Sequence, residues 1–80
     1  MPYIIKERRP DLTHSGIPLN VGELNYCITR RIVQYIDFKG LSYQTINDVI
    51  GVLECAKQEL YDRKARDYEN LKMTENGDVY

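Results

Sequence analysis

The stretch TINDVIGVLECAKQEL, Thr45 to Leu60, decides the fold class. Its apolar residues Ile46, Val49, Ile50, Leu53, Ala56 and Leu60 recur at the spacing of one helix face. The pattern runs on into a charged extension, YDRKARDYEN, that keeps helical character to about Asn70. A helix of roughly 28 residues is about 42 Å long at 1.5 Å per residue. A compact chain of this size has a radius of gyration of roughly 12 Å. At least two turns are therefore expected to protrude, and protruding turns seek a partner.

Working outward, Ser42 is placed to cap this helix, with Tyr43 as its first residue, and Thr45-Ile46-Asn47-Asp48 offers a second, inner capping-box spacing. Gly40 stops a preceding helix expected over residues 21–39, for which Asn20 is the N-cap. So short a link makes the two helices antiparallel or sharply crossed. Residues 1–20 read as an irregular arm: β-prone Tyr3 to Ile5, a charged Lys6-Glu7-Arg8-Arg9, and a loop of breakers from Thr13 to Pro18. Residues 71–80 read as an extended tail broken at Asn76-Gly77, and its end could pair with Tyr3-Ile4-Ile5. The expected fold is mainly α, a single domain. It is an antiparallel two-helix hairpin (21–39 and 42–70) with an irregular N-terminal arm and an extended C-terminal tail, assembled as an oligomeric helical bundle.

Self-association follows from the first helix. Leu24, Cys27, Ile28, Ile32, Tyr35, Ile36 and Phe38 fill half its circumference, while Tyr26 and Val33 lie opposite. A helix apolar on both sides is covered on both sides. One other long helix cannot supply both covers, so a second subunit is expected.

Composition narrows the function classes. The 80 residues carry a formal charge of −1, which argues against a strongly basic nucleic-acid module. Two cysteines, Cys27 and Cys55, lack metal-ligand spacing. No apolar run approaches a signal peptide or a membrane span, so the chain reads as cytoplasmic with reduced thiols. His14 is the single histidine and has no second ligand near it in sequence. No paired carboxylates, activated nucleophile or phosphate loop is present, and Gly51 inside the second helix suggests close approach of another helix or of a ligand. The expectation is a protein that is not an enzyme and uses no cofactor.

The chemistry-bearing residues are cations set in apolar faces. Lys57 and Lys64 fall in the stripe of the second helix, and Arg31 in that of the first. Snorkelling over the core or pairing with Glu54, Asp67 or a partner's carboxylate explains them structurally. The sharper reading is an anion pocket between subunits, since guanidinium forks match phosphate oxygens. Tyr26, Tyr61 and Tyr80 are available to stack on a base, with Arg30 and Arg63 nearby in sequence as further cations. The candidate ligand-binding set is Arg31, Lys57, Lys64, Tyr26, Arg30, Tyr61, Arg63 and Tyr80.

The segments GELNYCITR (Gly22–Arg30), GLSYQTINDVIGVLECAKQELYDR (Gly40–Arg63) and YENLKMTENGDVY (Tyr68–Tyr80) resemble a family of small proteins from bacteriophage and bacterial genomes with endings of the ENGDVY kind. At residues 10–20 the resemblance fails, because relatives carry a longer, more helical stretch there. The resemblance implies a setting and no settled activity. Small phage proteins without enzymatic residues act by binding: as sponges for nucleotide signals, or as inhibitors and adaptors of host proteins. The expected function is a phage-type, counter-defence sponge that sequesters a nucleotide at subunit interfaces, in the host cytoplasm. The alternative is a protein-binding inhibitor or adaptor that uses the long helix on a host protein. Nucleic-acid binding ranks below both, and a membrane partner is not expected.

Overall fold

The computed structural model describes residues 2–14 and 16–80. Met1 and Ser15, the latter in the breaker-rich loop, lie outside the described residues. The chain is mainly helical, with no strand among the described residues, and Tyr3–Ile5 and Val79–Tyr80 are coil. It divides into two compact units, Met1–Ile46 and Asn47–Tyr80.

The first unit begins with a 3-10 turn, Lys6–Arg8, that leads into the short helix α1, Arg9–Thr13. Residues 6–13 of the arm are therefore helical where an irregular chain was expected, while 2–5 and 16–19 are irregular. Pro10 suits the first helical turn, since its ring sets the required φ and the missing N–H has no partner to lose there. The exit of α1 is tight. The Gly16 N–H donates to the Asp11 carbonyl, and a Cβ at Gly16 would lie 2.6 Å from that oxygen. Only glycine lets the chain turn back so closely. Leu12 of α1 is buried against this turn and α2, and it is the one buried apolar side chain among the described residues.

Helix α2 spans Val21–Lys39. The Asn20 side chain accepts the Glu23 N–H at 2.9 Å, a cap worth about 1 kcal/mol. At the other end Gly40 takes φ 92°, a left-handed value unfavourable to any side chain, and its N–H closes on the Ile36 carbonyl. Ser42 then starts α3, Tyr43–Leu60, by accepting the Thr45 N–H at 3.1 Å. On α2 the apolar face is covered unevenly: Cys27, Ile32 and Ile36 are half-buried, whereas Leu24, Ile28, Tyr35 and Phe38 are exposed.

The second unit is the body of α3, a π turn at Tyr61–Ala65, and α4, Arg66–Asn76, followed by four residues of coil. Helix was expected to end near Asn70, with residues 71–80 extended. Instead it continues to Asn76. Thr74 bonds back to the Asn70 carbonyl, Lys72 pairs with Glu75 at 3.4 Å, and the stop falls at Gly77, whose N–H closes on Met73. Residues eight apart differ by about 80° around an unbroken α-helix. The widened π turn removes most of that offset, so the Tyr61 hydroxyl reaches the Glu69 carboxylate at 3.3 Å and the Arg66 guanidinium lies over the Tyr61 ring. The same shift turns Leu71 away from the line of Leu53 and Leu60.

Within this unit every residue is exposed except Val49 and Ala65, which are half-buried. Gly51 shows open space where close approach was expected, and by its spacing it lies opposite the apolar stripe. Gly51→Ala should therefore raise stability by about 0.5–1 kcal/mol through helix propensity alone. Thermal melts followed by circular dichroism check this, and a fall in melting temperature would mean that something does press on that side.

Candidate functional site

The first unit is organised around an ion pair that the sequence reading did not single out. Arg8 forks onto Glu23, with Nη2 to Oε1 at 2.8 Å and Nε to Oε2 at 3.0 Å. Glu23 is buried at the third position of α2 and also accepts the Leu19 N–H at 3.0 Å. Arg8 reaches on to Asp11 at 3.3 Å and to the Ile17 carbonyl at 3.2 Å. One guanidinium thus ties together the 3-10 turn, α1, the loop after it and the start of α2. The Asn20-x-x-Glu23 spacing is a capping-box signal, and it was the clue in the sequence to this glutamate.

Bonding from Arg8, and secondly from the Leu19 amide, holds the Glu23 carboxyl below its ordinary pKa, against the upward pull of burial. The same pair pushes Arg8 up, so it stays charged.

Among the described residues three concave surfaces lie along α2 in this unit, one of them a shallow patch of Arg31, Gln34, Tyr35 and Phe38, and the other two bear on the candidates. The larger, about 530 Å³, has apolar walls from Leu12, Leu24 and Cys27 and a polar end from Arg30, Arg31 and Gln34. No carboxylate lines it among the described residues. Arg31 donates to Gln34 at 3.2 Å, and no ion pair engages Arg30 or Arg31 among the described residues. The smaller, about 230 Å³, is lined by Tyr3, Arg9, Tyr26, Thr29, Arg30 and Val33, with Pro2 at its edge. Arg30 borders both. Tyr26 is held by a 3.3 Å hydroxyl contact with Thr13 and carries the Arg9 guanidinium over its ring at 5.8 Å.

The structure thus brings Arg30 together with Arg31 in one groove and with Tyr26 in the other. The remaining sequence candidates lie in the second unit, and most are engaged by their own helix. Lys57 pairs with Glu54 at 3.1 Å, Arg63 pairs with Glu59, and Tyr61 bonds to Glu69. Lys64 is exposed and has no ion-pair partner among the described residues. Tyr80 is fully exposed beside a concavity of about 430 Å³ with Lys72 and Met73, its N–H bonded to Asp78 at 2.9 Å. Arg9 and Tyr3 were missed as site residues because their place beside α2 depends on the Arg8–Glu23 pair, which is long-range in sequence.

Both cysteines are free thiols. Among the described residues no group of three His, Cys, Asp or Glu side chains is arranged to hold a metal, and no helix is long and apolar enough to cross a membrane.

Over residues 1–79 the chain matches the model of a family described as a domain of unknown function (DUF6899), and it belongs to that family. No curated protein and no solved structure matches it.

Because the Glu23 carboxyl is depressed when folded, its proton binds more tightly in the unfolded chain. Its stabilising contribution is complete above the ordinary glutamate range of roughly pH 4–4.5 and is lost as pH falls through the lower folded value. Glu23→Gln should melt well below wild type at neutral pH, and the gap should narrow steadily in acid. Melting temperatures of both proteins across that range provide the check; a gap independent of pH would contradict the assignment.

Proposed function

We propose that the protein is a non-enzymatic, self-assembling binding protein in which a second copy covers the exposed helical face. The observation that carries this is the stripe on α3: Ile50 is 58% exposed, Leu53 41% and Leu60 63%. Covering the exposed half of each such side chain contributes about 1 kcal/mol. The exposed ion pairs along the same helix contribute about 0.2–0.5 kcal/mol each, too little to replace that cover.

Charge points to which surface of the second copy fits. Residues 1–46 carry six Lys/Arg against four Asp/Glu, a net +2, and residues 47–80 carry five against eight, a net −3. The acidic second unit of one copy therefore complements the first unit of another, whose Leu24, Ile28, Tyr35 and Phe38 are exposed beside Arg30 and Arg31. Reciprocal exchange of this kind gives a closed dimer.

What the assembly holds is an anionic ligand of nucleotide size. The 530 Å³ groove, with apolar walls, two arginines and no carboxylate in its lining, supports that reading. A phage-encoded, counter-defence sponge for a nucleotide signal is the setting suggested by the resemblance of the ENGDVY-type segments. The second reading is an inhibitor or adaptor in which the α3 stripe docks into a groove of a host protein, and the same exposed residues support it.

Sedimentation equilibrium at micromolar concentration should show wild type as an oligomer. Leu53→Glu and Leu60→Glu should each give monomer without loss of intrinsic helix propensity, and raised salt should weaken the assembly. A wild-type monomer of full helicity would sink the assembly. A melting-temperature screen against cyclic and linear nucleotides separates the ligand readings: a rise supports sequestration, and none across the panel leaves the protein-docking reading in possession.

A further inference from the structure

The smaller concavity of the first unit carries a site distinct from the groove at Arg31. Its lining holds two arginines, Arg9 and Arg30, and two tyrosines, Tyr3 and Tyr26, with no acidic residue among the described residues. Neither arginine is paired with a carboxylate among the described residues. Arg9 spends one Nη on the Ile4 carbonyl at a long 3.4 Å and stacks over Tyr26, while its Nε is buried with no hydrogen-bond partner. A buried guanidinium nitrogen without an acceptor is a standing cost. In a chain with more acidic than basic residues, two uncompensated arginines beside one pocket are a feature to be explained.

We propose that this pocket binds an aryl phosphate, an anion of phosphate charge carried on a single aromatic ring. A carboxylate has two oxygens and satisfies one guanidinium fork. A phosphate offers enough acceptors for both Arg9 and Arg30. Tyr3 is 79% exposed at the pocket and gives a face for the ring to stack against. Size points the same way: about 230 Å³ is below the roughly 300–1,000 Å³ of sites for drug-sized ligands and suits a single ring with its phosphate. The site lies within one unit, so it does not depend on the assembly proposed above.

Titration of the full-length, isotope-labelled chain with phenyl phosphate, followed by amide chemical shifts, tests the proposal, with inorganic phosphate and phenol as the other arms. Saturable shifts centred on residues 3, 9 and 26–33 are expected, with phenyl phosphate binding at least about tenfold more tightly than either fragment. Arg30→Gln, at an exposed position, should weaken it by about tenfold or more with the melting temperature unchanged. Arg31→Gln should leave it unaffected, and Tyr3→Leu should erase the preference over inorganic phosphate. Non-saturating shifts, equal affinity for inorganic phosphate, or an Arg30→Gln variant that binds as wild type would each overturn the assignment.

Discussion

The bidentate pair between Arg8 and Glu23 is the interaction on which the first unit depends. Without it, a five-residue helix with a single buried leucine is held to α2 only by the Thr13–Tyr26 hydroxyl contact and by Arg9 over the Tyr26 ring. Glu23 is buried and accepts three hydrogen bonds, two from Arg8 and one from the Leu19 amide, so its charge is compensated where desolvation would otherwise be expensive. Both concave surfaces lie beside segments that this pair anchors. Arg9 follows Arg8 directly, and Leu12 and Thr13 belong to the same short helix.

The second unit obeys a different constraint. It is a helix with no buried side chain among the described residues, and its apolar residues line one face. Val49, Leu53, Ala56 and Leu60 follow one another at spacings of four, three and four residues, the 3.5-residue repeat of supercoiled helices. That repeat ends where the π turn begins. Beyond it the helix is sustained by local pairs such as Arg66 with Asp62 and by Tyr61 spanning to Glu69. The stretch suited to a partner and the stretch suited to water are thus separated at Tyr61.

The two candidate sites share Arg30 and differ in their walls. One is wide and apolar and lies at the face the proposed second copy covers. The other is small, aromatic and complete within one unit. Their common feature is arginine without carboxylate, in a unit whose net charge is opposite to that of the rest of the chain.

The helical class, the caps at Asn20 and Ser42 and the stop at Gly40 were legible because each is set by residues within four positions of one another: a side-chain oxygen reaching an amide three residues on, or a glycine accepting positive φ. Local signals were insufficient where two weak tendencies competed, as at residues 71–76, where the Asn76-Gly77 turn was legible but the helix leading into it was not. The pairing of Arg8 with Glu23, fifteen residues apart, left no local trace beyond a capping-box spacing. With it went the placement of Arg9, Tyr3 and Leu12. The amino-acid sequence by itself determined which segments coil and which faces are apolar, since those are properties of neighbours along the chain. Only the tertiary structure decided which arginine is neutralised and which is left beside a pocket, because a charge finds its partner in space and the distance along the chain does not constrain it.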